Sequence, residues 1–167
     1  PSAIAAIPCG CDYLMTKNSC QFVLKARRMI NLNKRELELK KGLRKSYHSL
    51  VNWGLREMDI KIHDQETMTW ETMNTFRELH AREAGRSTRS LNTWKRQFES
   101  VMRGGSFCIT SSIDSEIISA GWFPIFNGYC YYGSSASRRD FFNKPIFHAL
   151  LWEAILFAKS KGALFFD

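Results

Sequence analysis

Between residues 58 and 166 the spacing of apolar residues switches from a period of two to one of about 3.6, and back, more than once. Met58-Asp59-Ile60-Lys61-Ile62-His63 alternates apolar and polar residues, as a half-buried strand does. Trp70, Met73, Phe76 and Leu79 then recur at helical steps, with Thr69 placed to cap the helix and Gly85 to stop it. Leu91, Trp94, Phe98 and Val101 form a second stripe, closed by Gly104-Gly105. Residues 106–113 and 116–126 read as two strands across a polar turn. Asn127-Gly128 is a two-residue hairpin signal that returns 129–132 onto the preceding strand. Ile146, Leu150, Ala154, Ile155 and Ala158 give a last helix, with Pro145 in its first turn and Gly162 at its end, before a strand over 163–166. This order buries its apolar faces by laying helices on a mixed, mainly antiparallel sheet, so the fold class is α/β (α+β).

Upstream, Leu39, Leu43, Tyr47 and Leu50 predict one helix from Asn33 to about Gly54. Residues 1–20 have little periodicity, and 21–32 hold one or two short strands. The expected division is a remnant of an upstream domain or linker over 1–32, and the main domain over 33–167, its C-terminus incomplete within a buried strand.

Hydrophobic residues at 44% and charged residues at 24% exclude a disordered or collagenous chain. A net charge of +8 favours polyanionic partners: tRNA, nucleotides or an anionic membrane surface. The cations are spread over several segments with no single dense tract; Lys41, Arg44 and Lys45 are the expected nucleic-acid patch. No apolar stretch is long enough to span a bilayer, so membrane contact would be peripheral and a cytoplasmic location is expected. Cys9, Cys11 and Cys20 lack a well-spaced fourth ligand for zinc. Cys108 and Cys130 lie in apolar strands and read as core residues. His80 and Glu83 share a helix face without a further ligand pair, so no metal site is expected.

The stretch Tyr131-Tyr132-Gly133-Ser134-Ser135-Ala136-Ser137-Arg138-Arg139 reads as a turn before a helix starting near Asn143-Lys144-Pro145. There, backbone amides and a helix dipole can hold an anion. Ser134, Ser135, Ser137, Arg138, Arg139 and Lys144 are its candidate donor- or phosphate-binding residues. Tyr132, at a strand end, and His148, in the first turn of the helix, are the candidate catalytic residues. No nucleophile–base triad is present.

The segments Leu43-Arg44-Lys45-Ser46-Tyr47-His48-Ser49-Leu50-Val51-Asn52-Trp53-Gly54, 76–86, Tyr131-Tyr132-Gly133-Ser134-Ser135-Ala136-Ser137, Leu151-Trp152-Glu153-Ala154-Ile155, Ala158-Lys159-Ser160-Lys161-Gly162 and Phe166-Asp167, in that order, resemble the FemABX-type branch of the GNAT acyltransferase superfamily. The resemblance covers about residues 35–167. It implies a GNAT-like sheet covered by helices, and an aminoacyl or acyl transferase whose donor is aminoacyl-tRNA or acyl-CoA, with no tightly bound cofactor. The implied acceptor is an amine, such as a peptidoglycan precursor or a polysaccharide-related amine, and a second GNAT-like domain would precede this one. It also implies that Arg86 and Arg89, between two helices, lie where the acceptor enters. GNAT enzymes wrap the acetyl-CoA pyrophosphate with a glycine-bearing turn; Ser134-Ser135-Ala136-Ser137-Arg138-Arg139 has no glycine, which argues against acetyl-CoA. The alternatives are an acetyl-CoA-dependent N-acetyltransferase and a non-catalytic RNA-binding or scaffolding domain.

Overall fold

The computed structural model describes residues 29–167. Cys9, Cys11, Cys20 and the chain before residue 29 lie outside the described residues.

The elements, in chain order, are β1 (Ile30–Asn31), α1 (Glu36–Lys41), α2 (Lys45–Glu57), β2 (Asp59–His63), α3 (Trp70–Ala84) and α4 (Leu91–Met102). Then come β3 (Ser106–Ile113), β4 (Glu116–Phe126), β5 (Tyr129–Cys130), β6 (Ser134–Ser137), a 3-10 turn (Arg139–Phe141), α5 (His148–Ser160) and β7 (Phe165–Phe166). The strands form one sheet in the order β1-β7-β5-β4-β3-β2, with β6 also paired to β4. Every pair is antiparallel except β5 with β7.

The single helix expected over 33–54 is two. The Gly42 amide donates to Glu38 O and closes α1, and Arg44 is extended at φ −56°, ψ 142° before α2 begins. Glycine is a poor helix former, and the break lets Leu39 and Val51 turn into the same core. Leu32, at the expected domain boundary, is itself in that core, and β1 pairs with β7. The last residues of the stretch that the sequence sets apart thus complete this sheet.

Helices cover both faces. On one face α5 and α2 pack over Phe107, Ile109, Phe123, Cys130 and Phe166. The α2–α5 approach is close enough that a Cβ on Gly54 would stand 2.5 Å from the Ala149 Cβ. On the other face Met73, Phe76 and Leu79 of α3 and Trp94 and Val101 of α4 meet Cys108, Ala120 and Ala136. Thr69 caps α3 by accepting from the Thr72 amide, as its position in the sequence requires, and Ser90 caps α4 through Thr93. Cys108 and Cys130 are free buried thiols, and burial pushes the Cys130 thiol up to about 12. No helix among the described residues is long and apolar enough to cross a membrane.

Candidate active site

The segment 131–139, read from sequence as a turn, contains a strand, β6 at Ser134–Ser137. Small polar residues look like a loop, but here they ladder onto β4: Ala136 lies opposite Ala120, and Ser134 opposite Trp122. Cys130 lies opposite Ile125, so the register slips by one residue between the two pairings. Gly133 takes up the slip. Its amide donates to Trp122 O at 3.1 Å, and a Cβ there would stand 2.4 Å from the Trp122 ring and 3.0 Å from Pro124. The result is a β-bulge.

The bulge reverses which residues share a face. In a regular strand Cys130 and Ala136, six apart, would lie on one side; here Cys130 packs under α5 and Ala136 under α3. Tyr132 and Ser135, three apart, would lie on opposite sides. Instead the Tyr132 hydroxyl hydrogen-bonds Ser135 Oγ, and the ring packs against Phe123 and Phe147, with centroids 5.9 and 5.8 Å away. Tyr132 is 46% exposed and stands where β6 meets the start of α5.

Beyond the bulge, β6 pairs with no strand but β4 among the described residues. The Arg138 amide donates to Ile118 O at 2.9 Å, which sets 120/136 and 122/134 as the hydrogen-bonded pairs. The amides of Ser135 and Ser137 therefore point away from β4, at the strand's outer edge. The start of α5 lacks a side-chain cap, leaving the positive end of a 13-residue helix beside that edge. The helix begins at His148 rather than near Asn143, and Pro145 stands before its first turn, its carbonyl accepting from the His148 amide. Pro145 places its predecessor outside the helical region, which delays the start.

The candidate cations differ in what they touch. The Arg138 side chain, 17% exposed, is ion-paired to both Glu116 and Asp140 and lies over the Phe141 ring at 4.8 Å. Those hydrogen bonds raise its pKa, and they hold the Asp140 carboxyl below the usual range. Arg138 is a clasp that pins the 138–147 segment down. Lys144 is exposed, 5.4 Å over the same ring. Arg139 has an exposed side chain, and its amide donates to Glu83 Oε2 at 3.0 Å, tying the strand end to α3. Ser134 is buried, its Oγ without a hydrogen-bond partner among the described residues.

His148 faces the other way, its ring edge-on to Tyr47 of α2 at 5.3 Å. Tyr132 instead contacts its neighbour Phe147, so the structure does not bring the two candidate catalytic residues together. Tyr47 also links α5 to the basic junction, because Lys41, Arg44 and Lys45 occupy the end of α1 and the start of α2. All three are exposed and without an acidic partner among the described residues.

A groove runs along the outer edge of β6, between Ser135, Ser137, Arg139 and Phe142 on one side and His80 and Glu83 of α3 on the other. At its α3 wall, His80 Nε2 lies 2.8 Å from Arg89 Nη1, and its Nδ1 lies 3.2 Å from Thr88 Oγ1. Of the two expected acceptor residues, Arg89 is thus fixed beside the groove, whereas Arg86 is exposed. The sequence offered His80 only as half of an unconvincing metal pair; the signal for its real partner was an arginine nine residues on, across a glycine-stopped turn. Among the described residues no group of three His, Cys, Asp or Glu is placed to hold a metal ion.

No protein-family model and no curated protein matches this sequence. Solved structures do. FemX superposes with a TM-score of 0.66 at 13% identity, over 83% of this chain and 51% of FemX. L-PGS from Bacillus licheniformis gives 0.58 at 16% identity, over 83% of this chain and 42% of its own. An aminoglycoside acetyltransferase from an uncultured soil metagenomic sample, solved with sisomicin, gives 0.54 at 10% identity, over 64% of this chain and 72% of its own. The chain spans about half the length of FemX. The chain therefore has a FemABX-type, GNAT-like fold.

Proposed function

We propose that this chain is a transferase domain that joins an aminoacyl or acyl group to an amine, with aminoacyl-tRNA as the donor. The observation that carries the reading is the bulge at Gly133. It sets Tyr132 and Ser135 on one face, next to the free amides of β6 and the uncapped start of α5.

In the reaction proposed, the amine nitrogen of the acceptor attacks the donor carbonyl carbon, forming the C–N bond as the carbonyl oxygen takes up negative charge. Amides at the outer edge of β6 are donors for that oxyanion, and the α5 dipole favours negative charge beside them. Collapse breaks the donor's ester C–O bond. The nitrogen loses a proton, and the departing hydroxyl oxygen gains one, with the Tyr132 hydroxyl the candidate to relay it. Ser134, Ser137, Arg139 and Lys144 would flank the donor, Arg138 would fix their loop, and His148 would steady the helix start.

Two features favour a tRNA donor over acyl-CoA. The 138–147 segment has no glycine and is held down by the Arg138 clasp and Phe141, leaving no freely approachable backbone turn. The basic junction of Lys41, Arg44 and Lys45 reaches α5 through the Tyr47–His148 contact, where the body of a polyanionic donor would extend. Amines of peptidoglycan or polysaccharide precursors are the acceptor class that follows, and charged tRNA places the reaction in the cytoplasm. Incubating the protein with labelled aminoacyl-tRNA or acyl-CoA and amine acceptors tests the reading. Amide product from the tRNA donor, reduced about a hundredfold in Tyr132→Phe, is expected. No transfer from either donor would refute it.

A further inference from the structure

β4 carries an irregularity of its own, on the side away from β6. Against β3, Ser119 lies opposite Ser111 and Ile117 opposite Ser112, so Ile118 is an extra residue with no partner in β3. Against β6 the ladder runs on unbroken, and the Ile118 carbonyl accepts from the Arg138 amide at 2.9 Å. In a regular strand, consecutive side chains point to opposite faces. Here Ile117 packs against the α3–α4 core, whereas Ile118 and Ser119 both face the α5 side. Ile118 meets Ile146 and Ala149, and Ser119 Oγ donates to Ile146 O at 3.3 Å.

Two adjacent residues of β4 thereby hold both ends of the 138–147 segment. Ile118 O takes the amide at its start; the Ile118 side chain and the Ser119 hydroxyl take Ile146, just ahead of α5. Ile146 is 3% exposed, and no amide among the described residues donates to its carbonyl, so Ser119 is its donor. A hydroxyl has one proton to give. Ser119 gives its own to Ile146 O, so its hydrogen bond with Ser111 Oγ must be donated by Ser111. Both serines are 0% exposed, at a place in the sheet where an apolar side chain would need no partner. Hydroxyls in series polarise one another, and this series ends on the carbonyl beside the helix start.

We propose that Ser119, oriented by Ser111, is a positioning residue for the transfer: it fixes the start of α5 against the outer edge of β6, and so sets how the helix dipole and the β6 amides meet the reacting carbonyl. This deepens the transferase reading and rests on it for the reaction, while the clamp itself stands on geometry alone. Ser119 is buried and acts through Ile146.

The test measures amide hydrogen exchange and transfer from labelled aminoacyl-tRNA on the full 167-residue chain. Ser119→Cys keeps the site filled and replaces the hydroxyl with a weak donor. The amides of His148 and Leu151, which close the first turn of α5, should then exchange about fivefold faster, with those of α4 unchanged. kcat should fall about fivefold at constant KM, because the misplaced dipole fails only the charge that develops in the transition state. Ser119→Ala should behave as Ser119→Cys does. Ser111→Ala leaves the bond to Ile146 in place and should lower kcat by only about twofold. Native exchange in Ser119→Cys would overturn the clamp, and faster exchange with native kcat would overturn the positioning role. Exchange raised equally in α4 marks general destabilisation and would overturn both. Faster exchange at α5 in Ser119→Cys, with no transfer by the native chain from either donor, would keep the clamp and remove its role in transfer together with the transferase reading.

Discussion

Arg138, at the end of β6, and Arg89, in the turn between α3 and α4, stand in opposite electrostatic situations. Arg138 is clasped by Glu116 and Asp140, so its charge is spent on holding the 138–147 segment. Arg89 leans on an imidazole and an indole, so its charge remains to be met. An arginine's position in a loop says little about whether it can bind an anion; the charge of its neighbours decides. The 138–147 segment is therefore a built scaffold, and the α3–α4 turn is the region with an open electrostatic demand.

The change expected to disturb this contrast most is Gly133→Ala. Its Cβ would meet the Trp122 ring at 2.4 Å, against a residue packed between strands, so overpacking of about 1–3 kcal/mol is expected in urea unfolding. The Tyr132–Ser135 pairing would be lost with it.

Exchanging the two arginines for glutamine sharpens the contrast directly. Arg138→Gln should lower the thermal midpoint and leave the KM for an acidic acceptor unchanged. Arg89→Gln should leave the midpoint nearly unchanged and raise that KM about tenfold, the scale of one charge-assisted hydrogen-bond pair. Equal effects on both quantities in the two variants would erase the distinction.

Acid should separate the same two sides by pH. Burial, then Arg89, holds the His80 pKa below its ordinary range, and burial and Lys61 do the same for His63, which hydrogen-bonds Thr110 Oγ1 at 2.9 Å. For a histidine depressed on folding, nothing is lost above its unfolded pKa of about 6.5, and stability falls as pH drops from there toward the folded value. Asp140 is depressed by Arg138, and its contribution is lost only as pH falls below about 3.9. Urea midpoints at pH 7.5 and 5.5 should drop less in His80→Gln than in the native chain, while Asp140→Asn should show no difference in slope over that window.

The smallest effect supplies a control. Glu153 on α5 is a half-buried carboxylate with no hydrogen bond among the described residues, its pKa raised by burial and by Glu36. If an unmatched charge is merely tolerated, removing it helps, so Glu153→Gln should stabilise the fold at pH 7 by a few tenths of a kcal/mol. The Arg89 variant, deprived of a stacked cation, should show no such gain.

Much of the architecture was legible from the chain: strand 58–63, the stripes of α3 and α4, and the Asn127-Gly128 hairpin all carry strong local periodicity or turn chemistry. What escaped was set at a distance. Ser134-Ser135-Ala136-Ser137 has no strand propensity of its own and becomes strand only because β4 pairs with it. The split between α1 and α2 turns on one glycine in an otherwise helical pattern. At the candidate site the cations were visible, but their partners, Glu116 and Asp140 for one and His80 and Trp94 for another, depend on tertiary packing.

The bulge has one more implication. Tyr132 reaches Ser135 because three residues, 131–133, span a gap that a regular hairpin would cross with two. The layout of the groove is thus stored in the length of the chain as much as in its side chains. Drift that exchanges one aromatic for another at 131 or 132 preserves it, while loss of a single codon there would give β5 and β6 one continuous register, a more regular sheet, and no groove face shared by Tyr132 and Ser135.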